Sequence, residues 1–143
     1  MHVYSVRFVE LVVVETFKEF TFDAAHELPP FSRLHGHTFT ATVVLKGAQH
    51  PTQGRVLDLA DLEHEVEQVR KAVDEKFLNE IEGLGTPSLE NIAQWIFRRL
   101  DRVLPGVDRV MLRRGPSGSA AGCCYSAADE AACRATPVLA LAE

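Results

Sequence analysis

The sequence predicts an α+β domain in which helices cover one face of an antiparallel sheet. Three observations carry this reading: β-branched, alternating segments come first, two amphipathic helical stripes occupy the middle, and further strand-like segments come last. At 143 residues, 46% hydrophobic and 24% charged, the chain has the make-up of one globular domain with its own core. That domain is placed at residues 1–126, and 127–143 is an Ala-rich tail expected to be partly disordered. No internal repeat is evident.

Residues 3–14 read as a strand containing the run Leu11-Val12-Val13-Val14, and a second strand covers residues 17–25. Residues 27–34 include Pro29-Pro30 and are expected to loop, because proline removes a ladder donor. A third strand, residues 38–46, carries Thr38, Thr40, Thr42, Val43 and Val44; it ends at Gly47, and residues 51–54 form a turn. Asp58 is the expected N-cap of a first helix, with Asp61 in the capping-box position. Leu59, Leu62, Val66, Val69 and Val73 give that helix one apolar stripe. After a loop with Gly83, Gly85 and Pro87, Ser88 is a second N-cap candidate with Glu90 in the first turn. Leu89, Ile92, Ala93, Ile96, Phe97 and Leu100 form the second stripe, with Trp95 at its edge as a packing residue, and Pro105-Gly106 stops the helix. Residues 107–113 read as a strand, residues 115–119 as a flexible turn, and Cys123-Cys124-Tyr125 as a short last strand.

Composition excludes several function classes. A formal charge of −5 leaves no basic footprint for nucleic acid, although the local pair Arg113-Arg114 suits a small anionic metabolite. No segment has the apolar length needed to cross a bilayer, and Arg7 and Glu10 interrupt the N-terminal apolar residues, so the expected setting is cytoplasmic without a membrane partner. Cys123, Cys124 and Cys133 have neither zinc-ribbon spacing nor the look of a disulfide framework, and are expected as reduced thiols.

The chemistry is concentrated in Phe22-Asp-Ala-Ala-His26 and Leu34-His-Gly-His-Thr38. His35 and His37 stand at a strand entrance, where residues i and i+2 project from one face and can grip one metal. His26 supplies a third nitrogen if its strand pairs with the one after His37. Three imidazoles plus an open position is the catalytic zinc pattern, whereas structural sites close with four protein ligands. A His-x-His pair alone fits equally well two side chains flanking a turn at Gly36. His2, His50 and His64 stand in polar settings and are read as solvated.

These and further segments resemble the 6-pyruvoyl-tetrahydropterin and 6-carboxy-tetrahydropterin synthase family. The matching blocks are Phe20-Thr-Phe-Asp-Ala-Ala-His26, Leu34-His-Gly-His-Thr-Phe39, Gly54-Arg-Val-Leu-Asp-Leu-Ala-Asp-Leu62, Phe77-Leu-Asn79, Thr86-Pro-Ser-Leu-Glu-Asn91 and Ala121-Gly-Cys-Cys-Tyr125. The resemblance implies the tunnelling fold: a four-stranded antiparallel sheet with two helices on one side, assembled through sheet edges into a trimeric barrel and commonly a hexamer, which would cover open strand edges. It also implies Zn2+ on His26, His35 and His37, and a small-molecule, pterin-like substrate.

Departures from the family pattern bear on mechanism. The usual catalytic Cys, four residues before the first His of the pair, is replaced by Phe31 in a shortened loop, with Ser32 and Arg33 beside it. The Asp-His pair before Leu-Asn becomes Asp74-Glu75. The Glu that anchors the pterin's donor edge is replaced by Arg113-Arg114, and an arginine cannot accept hydrogen bonds. Strand alternation lets only one of those arginines face inward. The expected activity is therefore a zinc-dependent carbon–oxygen or carbon–carbon lyase acting on a pterin-like or related hydroxylated substrate. Glu75, aided by Asp74, is the candidate acid–base group, while Arg114 and Glu90 are the candidate substrate-binding residues. Glu27 is read as a surface residue. The alternative is a non-catalytic zinc- and ligand-binding homologue; zinc hydrolase chemistry is a third possibility, marked by release of phosphate or an acyl group.

Overall fold

The computed structural model describes residues 3, 10–116 and 118–135. Its elements are β1 (Val13–Leu28), β2 (Ser32–Ala48), α1 (Leu59–Val73), β3 (Lys76–Phe77), α2 (Leu89–Asp101), β4 (Val107–Arg114), β5 (Ala121–Ser126) and α3 (Ala127–Ala135). The strands form one sheet in the order β3-β1-β2-β4-β5. The four long strands pair antiparallel, and the two-residue β3 adds a parallel edge against Ala24 and Ala25. The expected four-stranded antiparallel sheet is therefore present, extended by that edge. No helix among the described residues is long and apolar enough to cross a membrane.

β1 and β2 are longer than the sequence suggests. The ladder runs unbroken to His26–His35 and reaches Leu28–Ser32, so the expected loop at residues 27–34 shrinks to Pro29, Pro30 and Phe31. Both prolines sit in the turn itself, where no ladder donor is needed. The expected strand at residues 3–14 holds only for Val13 and Val14: Leu11 and Val12 lie outside β1, and residues 4–9 lie outside the described residues, as does His2.

Period-two alternation builds the core face. Phe20, Phe22, Ala24 and His26 are buried on β1, and Phe39, Ala41, Val43 and Leu45 on β2, with Val110 and Leu112 of β4 beside them. Onto this face pack Leu62, Val66, Val69 and Val73 of α1 and Ile92, Ala93, Ile96, Phe97 and Leu100 of α2. Leu59, expected in the first stripe, is exposed instead because it opens the helix beyond the sheet's cover. Both N-caps match expectation, with Ser88 accepting from Asn91 N at 3.2 Å and Asp58 from Ala60 N at 2.9 Å; the Asp58 bond goes to Ala60 and not to Asp61, the expected capping-box position. Trp95 is half-buried and donates its indole N–H to the Glu82 carbonyl at 3.1 Å. At the α2–β4 turn Gly106 has φ +76°, and a Cβ there would lie 2.7 Å from the Lys46 carbonyl oxygen, so this position needs glycine.

The first part of the Ala-rich tail forms α3: Ser126 and Asp129 make a capping box, with Asp129 N donating to Ser126 Oγ at 3.2 Å and Ser126 N to the Asp129 carboxylate at 2.8 Å, and the helix is anchored by Glu130. Its carboxylate is only 8% exposed, accepts from Tyr125 OH at 2.6 Å and pairs with Arg98 of α2 at 2.9 Å and Arg134 at 3.1 Å. Alanine helix propensity, the cap and this anchor outweigh the lack of an apolar stripe. The Tyr125 hydrogen bond, then the Arg98 pair, hold the Glu130 carboxyl below its ordinary value near 4.5. A depressed carboxyl contributes stability above that ordinary value and loses it as pH falls through the folded one. Glu130→Gln is expected to cost about 2 kcal/mol at neutral pH and to flatten the acid limb of stability, read by urea denaturation from pH 3 to 7. An unchanged acid limb would contradict it.

Candidate metal centre and adjoining cleft

The β1–β2 register brings three imidazoles together. His26 lies opposite His35, and His37 follows two residues on, opposite Ala24. All three continue the core-face rows just past the ring stack of Phe22 on Phe39, whose centroids are 5.0 Å apart. His26 is 1% exposed, while His35 and His37 are half-buried. One ring nitrogen from each lies within 4.8 Å of the other two.

Hydrogen bonds fix the tautomers. His26 Nδ1 lies 2.8 Å from the Pro87 carbonyl oxygen and His35 Nδ1 lies 2.6 Å from that of Arg33. A carbonyl oxygen only accepts, so both Nδ1 atoms carry the proton and both Nε2 atoms present lone pairs. Those two Nε2 atoms face each other at 3.2 Å. Two lone pairs at that separation repel unless a cation lies between them. In a tetrahedral site with Zn–N of about 2.0–2.1 Å, the ligand–ligand edge is about 3.3 Å. The donor set therefore fits zinc, and the carbonyls are the outer partners that orient metal-binding histidines. Burial is the main cause that pushes His26 and His37 below the ordinary imidazole value, with neighbouring Arg114 and His35 adding to it. The Pro87 carbonyl, 61 residues from His26, was not foreseen as part of the site; its only sequence signal was membership of the Thr86–Asn91 block.

Arg114 completes this cluster from β4. It pairs with Phe39 across the β2–β4 ladder, and its Nη1 donates to His37 Nε2 at 3.1 Å. Alternation turns Arg113 to the other face, 3.8 Å from Glu19, so Arg114 is the inward member of the pair. Glu90 is exposed on the first turn of α2, close enough that its charge, after burial, helps push the Cys123 thiol up to about 11. A thiol so shifted stays protonated at neutral pH and does not offer the thiolate of a reactive cysteine. All three cysteines are free.

Beside the histidine triad lies an open cleft of about 600 Å³, lined by Asp23, His37, Thr38, Glu75 and Phe77 among others. Glu75 reaches it from the residue after the α1 cap, with φ +56°. Asp23 holds that segment: its N–H donates to Asp74 Oδ1 at 2.9 Å and its carbonyl accepts from Glu75 N at 2.7 Å. Asp74 Oδ2 accepts from Arg70 Nη1 at 2.7 Å, so each oxygen of Asp74 ties structure together. Asn79 locks the next turn by bonding both the N–H and the carbonyl of Glu27, at 3.0 and 2.9 Å. Asp23 and Thr38, which hydrogen-bond to each other in the cleft, were not singled out from the sequence, although both lie in matching blocks. His50 serves a turn, accepting from Thr52 N and Gln53 N, and His64 is exposed.

The family model for 6-pyruvoyl tetrahydropterin synthase matches residues 15–122. The chain belongs to this family. Among its relatives is a dihydroneopterin monophosphate aldolase of Pyrococcus furiosus, 41% identical over 88 residues that cover 60% of this chain and 74% of the relative. Another is a 6-carboxy-5,6,7,8-tetrahydropterin synthase of Synechocystis, 36% identical over 104 residues that cover 66% of this chain and 81% of the relative. The solved 6-pyruvoyl tetrahydropterin synthase of Caenorhabditis elegans superimposes with a TM-score of 0.72 at 26% identity, over 83% of this chain and 99% of that one. The tunnelling fold implied by the sequence blocks is thus the fold of this chain.

Proposed function

We propose that this family member is a zinc-dependent lyase acting on the hydroxylated side chain of a pterin. The observation that carries the reading is the pair of Nε2 lone pairs facing each other at 3.2 Å beside a cleft that Glu75 lines. Zinc on His26, His35 and His37 would supply Lewis-acid polarisation of a substrate oxygen, which makes a side-chain hydroxyl more acidic. Glu75 then moves the proton, in the place where the family has a His and in the absence of the family Cys. Asp74 positions Glu75 through Asp23 and holds Arg70. The relative named as an aldolase favours carbon–carbon cleavage over the carbon–oxygen route.

A non-catalytic, ligand-binding role is the second reading, favoured by one observation: Arg114 already occupies the lone pair of His37. Incubating zinc-loaded protein with dihydroneopterin monophosphate and, separately, with the triphosphate separates the readings. Release of an aldehyde from a shortened pterin is the expected result and marks an aldolase. Loss of triphosphate that leaves a carbonyl in an intact carbon side chain would mark a carbon–oxygen lyase instead, loss that leaves the free hydroxyl would mark hydrolysis, and no product from stoichiometrically zinc-loaded protein would favour the binding role.

Assembly into a trimer or hexamer is part of the same proposal. β5 is an open edge, β3 covers β1 only at Ala24 and Ala25, and Phe17 and Met111 are exposed on the sheet face away from the helices. Open edges beside exposed apolar side chains are what sheet-to-sheet association covers. The free thiols fit a cytoplasmic setting.

A further inference from the structure

We infer that a cleft on the solvent side of α2, separate from the histidine triad, binds a purine nucleoside diphosphate. The cleft has a volume of about 420 Å³, within the range of small-molecule pockets, and shares no lining residue with the cleft beside the triad. Asn91, Gln94, Trp95, Arg99 and Arg102 line it from the helix, and the segment from Glu82 to Leu84 closes it. Helical spacing explains the grouping. Asn91, Trp95, Arg98 and Arg102 follow one another at three- and four-residue steps, on the side of α2 away from buried Ile92, Ile96 and Leu100. The indole that the sequence marks as a packing residue is thus also one wall of a cavity.

Arg98 is held by Glu130 at 2.9 Å, but the guanidinium of Arg102 has no hydrogen bond or ion pair among the described residues. Arg99 has only an indole: its guanidinium carbon lies 5.1 Å from the Trp95 ring centroid. Basic side chains near a helix C-terminus are favoured by its dipole, yet the dipole calls for neither a cavity nor a tryptophan beside them. Two uncommitted guanidiniums three residues apart match two linked phosphates, each through paired N–H donors. Movement of Arg99 to a phosphate uncovers the indole, on which a flat base stacks, and a purine covers more of it than a single ring does. Beside Trp95 the lining changes character. The Trp95 N–H donates to the Glu82 carbonyl at 3.1 Å, which places Glu82 at this end, and the Gln94 amide has no partner among the described residues. Amide and carboxylate complement the polar edge of a base, while the charge of Glu82 repels phosphate. The base therefore belongs at Trp95 and the phosphates toward Arg102, about 10 Å further along the helix.

Trp95 is the only tryptophan of the chain, so its fluorescence reports this cleft directly. The test titrates zinc-loaded protein, freed of excess metal, with ADP and GDP and, separately, with adenosine, guanosine and pyrophosphate. At least one of the two nucleotides is expected to change the Trp95 emission saturably, binding about tenfold or more tightly than its nucleoside or pyrophosphate alone. Arg102→Gln removes a guanidinium that has no structural partner, so it should weaken nucleotide binding by about tenfold or more with thermal unfolding unchanged. Arg99→Gln should do the same when read by calorimetry, because removing the cation from the indole alters the starting fluorescence. No response to either nucleotide up to about 1 mM, equally tight binding of pyrophosphate or of the nucleoside alone, or nucleotide affinity unchanged in both variants overturns the inference. Each of these results leaves the pterin reading standing, since that rests on the other cleft.

Discussion

His35→Ala is expected to leave a folded protein that no longer retains zinc and turns over no substrate. His35 is half-buried at the end of the sheet, and its ring meets the other two imidazoles edge-on, with centroids 4.7 and 4.6 Å away. Removing it deletes one of three ligands and spares the core beneath. The loss of zinc affinity should exceed the roughly 10–100-fold that follows removal of an outer partner of a metal ligand. His26→Ala should lose zinc equally and also destabilise the fold by about 2 kcal/mol, because it empties a fully buried site and strands the Pro87 carbonyl. Metal analysis after gel filtration, with thermal unfolding of both variants, checks the contrast. Stoichiometric zinc in His35→Ala would remove the triad as the metal centre.

The triad was legible because strand periodicity is short-range: His35 and His37 share a face whatever the rest of the chain does. His26 was legible only conditionally, since opposition to His35 depends on register, and register depends on the turn. The prolines at 29 and 30 suggested a wide loop, yet they occupy a three-residue turn; the ladder stays in register to His26–His35 and, after an irregularity between His26 and Leu28, reaches Leu28–Ser32. The inward member of Arg113-Arg114 was undecided until a bulge between Val44 and Leu45 and the pairing of Phe39 with Arg114 set the phase of β4. Contacts spanning distant segments left no local trace. The Pro87 carbonyl that fixes the His26 tautomer is a backbone group, and backbone groups have no sequence signature. Glu130 looked like one more charge in an Ala-rich tail, and its three partners, together with the Ser126–Asp129 capping box, explain why residues 127–135 form a helix.

Glu75→Gln should lower kcat by about 10²–10⁴-fold with zinc content and fold unchanged, the range for loss of a positioned acid–base group. Its backbone strengthens the case. Glu75 is the one non-glycine residue with positive φ among the described residues, at +56°, and every neighbouring constraint holds it there: the α1 cap at Asp74, the bond from its N–H to the Asp23 carbonyl, and β3 starting at the next residue. A β-carbon in that region costs of order 1 kcal/mol, which glycine would not incur. Glu75→Gly is therefore expected to raise stability by up to about 1 kcal/mol while losing as much activity as Glu75→Gln. Steady-state kinetics and urea denaturation on both variants give the two numbers. Full activity in Glu75→Gln would leave proton transfer to another group in the cleft, whose other lining carboxylate is Asp23, hydrogen-bonded to Thr38. Lost activity together with gained stability would instead explain why a glutamate stands where the backbone favours glycine: the strained position lies in the wall of the cleft that His37 also lines.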